Sequence, residues 1–282
     1  MSRLSTSALP VASLSSHSLF VDKKWLDKQK IASAFGRAAH SYEQHNELQR
    51  RSGNALLALL NEHLASRGAQ NLPECGLDLG CGSGWFLPML KPKTKQLLAL
   101  DLSPAMLQQA QQKADVLAFC GDMDAPPVGE HSLDWVFANL CMQWSHSPAH
   151  WLANWSQCLK PGGVLVFATL LDGSLKELSD CWQQQGQPNP INAFISQARL
   201  EQHLVATGKR WQCQTNTEQL SYATLKELLL SLKGIGANQV TQEKRAGLMG
   251  KNTWQQLNLA YPVNNQGQCL ATYQLAYGVI YG

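Results

Sequence analysis

The sequence predicts an α/β fold with a mostly parallel sheet that helices cover on both faces. Between Cys75 and Thr169, short apolar runs alternate with segments of helical periodicity, which is the pattern of a parallel sheet. A glycine-rich turn at residues 80–84 follows the first apolar run, at a position where such sheets bind ligands. The chain of 282 residues is long enough for one large core with insertions. We therefore expect one α/β domain with a ligand site at the carboxyl ends of its strands.

The segments on either side of this region are interpreted from their periodicity. Residues 1–27 are rich in serine and are predicted to be a disordered tail. Residues 28–72 predict two or three helices that form a lid. Residues 73–282 are predicted to be the ligand-binding domain, with helical insertions at about 172–210 and 223–262 that cover the active site. Late strands are predicted at residues 211–222 and 271–281.

The first apolar run contains Asp78 and leads into Gly80, Cys81, Gly82 and Gly84. Glycines allow φ > 0 and let the backbone approach a ligand closely. The spacing G-x-G-x-G differs from the dinucleotide fingerprint G-x-G-x-x-G, and a carboxylate at the entrance repels phosphate. The turn therefore predicts a nucleotide cofactor with positive charge. S-adenosyl-L-methionine, with its ammonium, sulfonium, ribose and adenine, meets that requirement.

Two further apolar runs end in acids. The second run ends in Asp101, about 20 residues after the turn, where a carboxylate can accept hydrogen bonds from both ribose hydroxyls. The third run precedes Asp122 and Met123, which are predicted to contact the adenine amino group and ring. The alternative for Asp101 is that it caps the following helix, which starts near Ser103. Three acids at three successive strand ends favour the cofactor interpretation.

The chain resembles the class I methyltransferase superfamily over about half of its length. The resemblance implies a Rossmann-like fold with a mostly parallel seven-stranded sheet, N-terminal helices and a helical roof over the active site. It also implies that Leu102, Met106, Asn139 and Leu140 belong to the cofactor site, the last two beside the methionine part. The matching segments are residues 77–86, 100–106, 120–123, 134–144 and 159–170.

A more specific resemblance, from about residue 30 to the C-terminus, is to the malonyl-acyl-carrier-protein O-methyltransferases of biotin synthesis. It implies methyl esterification of the free carboxylate of a malonyl thioester, carried by acyl-carrier protein or by coenzyme A. Such a carboxylate is ionised at neutral pH and needs no general base. The segments that carry the resemblance are residues 34–39 with Tyr42, 139–144, 169–178 and 229–237.

This resemblance implies a cation for the malonyl carboxylate and a basic rim for an acidic carrier protein. The candidate cations are Arg199, Lys209, Arg210 and Lys233, and the alternative for each is a solvated surface charge. For the rim, the alternative is an ordinary mixed helical surface. The rim residues are Lys226, Lys233, Lys244, Arg245 and Lys251, set against Glu227 and Glu243.

Aromatic residues supply the remaining predictions for the acceptor site. Tyr42 is predicted to lie over the methyl donor, on the same helix as Phe35, and the alternative is that both pack on the sheet. Gln143 and Trp144 are further predicted acceptor residues, although a tryptophan is more often a core residue. No general base and no metal site are expected.

Composition limits the class of protein. The 23 basic and 20 acidic residues give a net charge of +3, which is too mild for a nucleic-acid binder without a basic cluster. No apolar run is long enough to span a membrane, and no secretory signal is recognisable. Eight cysteines without a C-x-x-C pair predict free thiols in the cytoplasm, and a monomer is expected.

Two alternatives to the malonyl enzyme remain open. One is a methyltransferase that acts on a quinone or polyketide, and the other is a non-catalytic cofactor sensor or scaffold.

Overall fold

The computed structural model describes residues 27–68, 72–189, 191–235 and 250–282. The predicted tail up to residue 26 and the rim residues Glu243, Lys244 and Arg245 lie outside these ranges. The helices are α1 (Lys28–Ala38), α2 (Tyr42–His45), α3 (Glu47–Ser66), α4 (Leu87–Leu90), α5 (Pro104–Ala110), α6 (Pro148–Gln157), α7 (Lys176–Gln184), α8 (Gln197–Ala206), α9 (Leu225–Gly234) and α10 (Lys251–Ala260). The strands are β1 (Cys75–Leu79), β2 (Gln96–Asp101), β3 (Leu117–Cys120), β4 (Leu133–Asn139), β5 (Leu159–Leu170), β6 (Arg210–Tyr222) and β7 (Cys269–Tyr281).

The described strands form one sheet in the order β3-β2-β1-β4-β5-β7-β6. The first five strands run parallel, and β7 lies antiparallel between β5 and β6. In this register Asp78 lies opposite Ala99, and Asp101 lies opposite Cys120. The carboxyl ends of β1 to β4 therefore share one edge of the sheet. The predicted α/β fold with a mostly parallel sheet of seven strands is confirmed.

The sheet buries both of its faces, because consecutive residues of a strand point to opposite sides. Trp135 and Phe137 of β4 pack in the core that contains α3, whereas Val136 packs in the opposite core with Trp151 of α6. All four of these side chains are fully buried. This two-sided burial explains why the central strands are almost continuous apolar runs in the sequence.

The prediction that Phe35 and Tyr42 share one helix is wrong. Helix α1 ends at Ala38, and Tyr42 begins the separate short helix α2. The hydroxyl of Ser41 donates a hydrogen bond to the carbonyl of Ala38 at 3.3 Å, so a side chain competes with the helical backbone bonds at this point. The chain can therefore turn between the two residues, and each aromatic ring approaches the sheet edge separately.

The late helices divide between the two faces of the sheet. Helices α7, α9 and α10 bury their apolar faces in the core that contains α3. Helix α8 packs in the opposite core, through Leu200 and Leu204. The hydroxyl oxygen of Ser41, just before α2, also lies 3.5 Å from the carbonyl oxygen of Gly234 in α9, which is an alternative acceptor for its one proton. Within the described residues, no helix combines the length and the apolar character that crossing a membrane requires.

Candidate cofactor and acceptor site

A pocket lies at the carboxyl edge of the sheet, with about 600 Å³ of empty space that is partly open to solvent. Strands β1 to β4 end on one side of it, and α1 and α2 cover the other side. Residues predicted from the sequence form most of its wall. Those that border it are Phe35, Tyr42, Gly80, Gly82, Asp101, Leu102, Asp122, Met123, Asn139, Leu140 and Trp144.

The three glycines of the turn have different tasks, although each has a positive φ. A Cβ on Gly80 would lie 2.5 Å from Cβ of Cys141, and one on Gly84 would lie 2.6 Å from Cα of Ala110. These two glycines let the turn pack against the rest of the fold. A Cβ on Gly82 would come no closer than 3.7 Å to Tyr42 and would project toward the pocket. Gly82 is therefore the glycine that keeps backbone exposed to a ligand.

Asp101 is tied to the glycine turn. Its Oδ2 accepts a hydrogen bond from the amide of Gly82 at 2.9 Å, and its Oδ1 accepts one from the amide of Ser103 at 2.8 Å. The N-cap of α5 is Ser103, whose hydroxyl accepts from the amide of Met106, so the capping alternative for Asp101 is wrong. Each carboxylate oxygen of Asp101 has a second lone pair for a ribose hydroxyl.

Asp78 lies behind the pocket wall and is almost fully buried. Burial, together with the nearby negative charge of Asp101, raises the pKa of Asp78 to about 8. Burial also raises the pKa of Asp101, although backbone hydrogen bonds from Ser103 and Gly82 oppose that shift. Two buried carboxyl groups without a cation are costly, so this end of the pocket favours a positively charged ligand.

At the other end of the pocket, Asp122 and Met123 follow β3. Oδ1 of Asp122 accepts hydrogen bonds from the amide of Asp124 at 3.0 Å and from Nζ of Lys28 at 2.8 Å. Lys28 also pairs with Asp124 at 2.9 Å and is itself a wall residue. Lys28 and Ile31 were not predicted from the sequence, although the spacing of residues 28, 31 and 35 places all three on one face of a helix. The wall residues Leu100, Gly121 and Cys141 were not predicted either.

Two aromatic rings close the pocket from above. Phe35 of α1 meets Trp144 edge to face, with 5.5 Å between ring centres. Trp144 belongs to a short 3-10 helix, Met142–Trp144, that follows β4. An edge-to-face pair of this kind adds about 0.5 to 1.5 kcal/mol to simple burial. The pair joins the N-terminal helices to the loop after β4.

Tyr42 lies over the glycine turn, and its neighbour Glu43 anchors it there. The carboxylate of Glu43 accepts a hydrogen bond from the hydroxyl of Ser83 at 3.0 Å and pairs with Lys113, which lies just after α5. Burial, and then the charge of Asp101, raises the pKa of Tyr42 well above its ordinary value. Tyr42 therefore stays protonated at neutral pH and is not a general base.

The loop after β4 is fixed by polar contacts. The side chain of Asn139 accepts from Ser52 at 2.8 Å and donates to the carbonyl of Gln49 at 2.8 Å, so its amide is engaged by α3. Leu140 borders the pocket with a φ of 51°, a strained conformation for a residue with a side chain. Gln143 donates to the carbonyl of Leu140 at 2.7 Å and does not border the pocket.

Several predicted residues lie elsewhere. Met106 is a buried residue of α5, and Sγ of Cys81 donates a weak bond to the carbonyl of Gly82 within the turn. Arg210 stacks on Tyr281, which pairs with Val164 of β5, toward the edge of the sheet opposite the pocket. Lys209 immediately precedes Arg210 in the chain. Arg199 and Lys233 are exposed and do not border the pocket. Their positions give no support to the prediction that they bind the malonyl carboxylate.

Comparisons with known proteins agree with this geometry. The family described as "Methyltransferase domain" matches residues 77–167. A malonyl-[acyl-carrier protein] O-methyltransferase from Serratia marcescens is 38% identical over 257 residues, which is 91% of this chain and 96% of the relative. The protein with the same description from Erwinia pyrifoliae is 39% identical, over 90% of this chain and 94% of its own.

Solved structures show the same fold at low identity. A Bacillus halodurans protein described as a putative methyltransferase superposes with a TM-score of 0.54 at 14% identity, covering 77% of this chain and 96% of its own. The YcgJ protein of Bacillus subtilis gives a TM-score of 0.53 at 13% identity, and the match covers 78% of this chain and 98% of the YcgJ chain. At this identity the likeness supports the fold alone.

Proposed function

Because this chain belongs to the malonyl-[acyl-carrier protein] O-methyltransferase family, we propose that it methylates the free carboxylate of a malonyl group held as a thioester on acyl-carrier protein. It is an S-adenosyl-L-methionine-dependent O-methyltransferase. The observation that carries the acceptor assignment is an identity of 38 to 39% over about nine tenths of the chain with relatives of that description. We further propose that the product enters biotin synthesis.

The described residues fit the cofactor. Gly82 presents bare backbone to the pocket, the carboxylate of Asp101 keeps lone pairs for ribose hydroxyls, and the buried acid Asp78 lacks a cation. We propose that Asp122 and Met123 hold the adenine, and that Leu102 and Leu140 supply apolar wall. When bound, S-adenosyl-L-methionine supplies an electrophilic methyl group on a sulfonium.

Apart from the acids that we assign to the cofactor, the described residues of the pocket offer no general base. Tyr42 stays protonated, and burial, followed by the charges of Asp78 and Asp101, raises the pKa of Cys141 in the same way. Burial also raises the pKa of Cys81 well above its usual range. A malonyl carboxylate suits this environment, because it is already ionised and can displace the sulfonium without losing a proton. The residues then have to align the acceptor and exclude water, for which we propose Tyr42, Phe35 and Trp144.

Carrier-protein docking and location are part of the same proposal. Exposed Lys226, Lys233 and Lys251, on α9 and α10, offer positive charge to an acidic partner. The eight cysteines are free thiols, which supports a reducing compartment such as the cytoplasm.

An assay with labelled methyl donor tests the acceptor. Purified protein should transfer label to malonyl-carrier protein as a base-labile methyl ester and release S-adenosylhomocysteine in equal amount. Acetyl-carrier protein, which lacks the free carboxylate, is the matched control and should stay unlabelled. Turnover of a phenolic or quinol acceptor in place of malonyl-carrier protein would falsify the carboxylate assignment. Binding of the donor without turnover of any acceptor would favour the sensor alternative.

A further inference from the structure

Helix α2 carries Tyr42 over the glycine turn, yet α2 has little packing of its own. It consists of four residues, and none of them is fully buried. Its position therefore depends on contacts that its side chains make with neighbouring elements. On one side, the carboxylate of Glu43 binds Ser83 and Lys113. On the other side lies α9, against which His45 packs at the end of α2.

The contact between α2 and α9 is centred on His45 and Gly234. A Cβ added to Gly234 would lie 2.1 Å from Cδ2 and 2.7 Å from Cγ of the His45 ring. Rotation of the ring about the Cβ–Cγ bond leaves Cγ in place, so it cannot relieve such an overlap. The imidazole of His45 thus occupies the space that a side chain at residue 234 would fill.

The backbone of Gly234 gives no reason for a glycine. Gly234 is a helical residue of α9 and is not among the described glycines with a positive φ. Within a helix, glycine is less favourable than alanine, because it loses more conformational freedom on folding. The contact with His45 is therefore what requires a residue without a side chain. Gly234 also lies in the segment 229–237, which carries part of the specific resemblance and which does not border the cofactor pocket.

Helix α9 can support α2 because it is itself fixed to the fold. Leu225 and Leu228 of α9 are fully buried. The hydroxyl of Ser231 lies 3.2 Å from the hydroxyl of Tyr222, the last residue of β6, so a hydrogen bond joins α9 to the sheet. These contacts make α9 a firm surface on which the smaller helix rests.

Tyr42 and His45 lie three residues apart in one helical turn, so a shift of the imidazole also moves the phenol ring. A Cβ on Gly82 would lie 3.7 Å from the Tyr42 hydroxyl, so this ring stands over the bare backbone of the turn. We propose that Gly234 and His45 are positioning residues for methyl transfer: α9 supports the imidazole, and α2 thereby holds Tyr42 where it closes the cofactor pocket. The proposal rests on the proposed covering role of Tyr42, and it is independent of which acceptor receives the methyl group.

Substitutions on both sides of the contact test this assignment. Gly234→Ala should displace α2 and weaken the binding of S-adenosylhomocysteine, measured by isothermal titration, by about 10-fold, and it should lower kcat by up to about 100-fold, since a displacement of about 1 Å has effects of that size. The KM for malonyl-carrier protein should change less than kcat does. His45→Ala removes the ring from the overlap, so the variant with both substitutions should bind S-adenosylhomocysteine more tightly than Gly234→Ala alone.

The Tyr42→Ala background separates positioning from a general effect on the fold. There, Gly234→Ala should change the affinity for S-adenosylhomocysteine by less than about two-fold, because residues that act through one another have non-additive effects. Gly129→Ala is the matched control. A Cβ on Gly129 would meet no atom within 4 Å, so its affinity and kcat should equal those of the wild type.

Three outcomes would overturn the proposal. The first is wild-type affinity and kcat in Gly234→Ala, and the second is an effect of equal size with and without the Tyr42 ring. The third is a raised KM for malonyl-carrier protein at unchanged kcat and affinity, which would place the effect on the outer face of α9. If Gly234→Ala does not fold, His45→Ala takes its place, and an affinity loss that persists in the Tyr42→Ala background overturns the proposal instead.

Two features of this design keep its failure distinct from that of the proposed function. Unchanged affinity and kcat in Tyr42→Ala itself would overturn the covering role and, with it, the positioning role of Gly234 and His45. The affinity measurements need no methyl acceptor, so they decide the question whichever acceptor the enzyme uses.

Discussion

The amide of Gly82 donates a hydrogen bond to Oδ2 of Asp101 at 2.9 Å and thereby joins the glycine turn after β1 to the end of β2. The same carboxylate accepts the amide of Ser103 and so fixes the start of α5. One acid thus sets the position of the turn and, in our proposal, also binds the ribose. Its two tasks are separable by measuring stability and cofactor affinity together.

Asp101→Ala should weaken the binding of S-adenosylhomocysteine by about 1 to 3 kcal/mol, because it removes charge-assisted hydrogen bonds to the ribose. Isothermal titration measures the affinity directly. Asp115→Ala, at an exposed position beyond the end of α5, is the control and should bind as the wild type does. An Asp101→Ala protein with unchanged affinity would show that the ribose is held by other residues.

The glycines of the turn should respond differently to substitution. Gly84→Ala places a Cβ 2.6 Å from the backbone of Ala110 at a φ of 78°, so we expect a loss of about 2 to 5 kcal/mol in the free energy of unfolding. Gly82 lies at a φ of 54°, so Gly82→Val should lose at least about 1 to 2 kcal/mol of stability through left-handed strain. It avoids a clash with the fold but should abolish cofactor binding, because its side chain projects toward the pocket. Urea unfolding and titration with S-adenosylhomocysteine separate the two effects.

Gly68→Ala is the control for backbone strain in this comparison. Gly68 has a φ of 58°, and a Cβ added to it would meet no atom within 4 Å. Only the left-handed conformation is therefore penalised there, by about 1 to 2 kcal/mol. A Gly84→Ala protein no less stable than Gly68→Ala would show that α5 moves aside at no cost. Full cofactor affinity in Gly82→Val would contradict the proposed cradle.

The sequence was sufficient for the strands and for most of the pocket wall. The sheet buries both faces, so its strands are apolar runs, and the acids that follow them stand out at Asp78, Asp101 and Asp122. The wall residues missed on α1 were Lys28 and Ile31. Their role depends on where the helix crosses the sheet edge, which is set by tertiary contacts such as the pair of Phe35 and Trp144.

Arg199 and Lys233 illustrate the opposite error. A positive charge in an insertion near the active site is compatible with an acceptor role, but the sequence does not say which way the side chain points. Neither residue borders the pocket in the fold.

Tyr42 should act through its ring and not through its ionisation. Burial keeps the hydroxyl protonated, so Tyr42→Phe should retain kcat for methyl transfer within about three-fold, whereas loss of a general base costs about 100-fold or more. Tyr42→Ala removes the ring beside Gly82 and should lower kcat more than Tyr42→Phe does. Initial rates with saturating cofactor and malonyl-carrier protein provide the comparison. General-base catalysis contributes about 100-fold or more to a rate. A loss of kcat of that size in Tyr42→Phe would show that the hydroxyl itself takes part in the reaction.

Asp78 should make cofactor binding depend on pH. Its pKa of about 8 means that the carboxyl group is mostly protonated at pH 7, and the ammonium of the ligand favours the ionised form. Binding must then release a proton, so affinity for S-adenosylhomocysteine should rise by up to about 10-fold per pH unit from pH 6 and level off above pH 8. S-adenosylhomocysteine is the suitable probe, because without the sulfonium its amine stays protonated over this range.

Titrations in buffers with different ionisation enthalpies measure the proton directly. At pH 7 the wild type should release close to one proton per ligand bound, and Asp78→Asn should release almost none and show a nearly flat pH profile. Asp101 is the neighbour whose ionisation could also contribute, since burial raises its pKa as well. A steep profile that persists in Asp78→Asn and disappears in Asp101→Asn would place the titrating proton on the ribose-binding acid. In that case the pH dependence would not come from stabilisation of ionised Asp78 by the ammonium of the ligand.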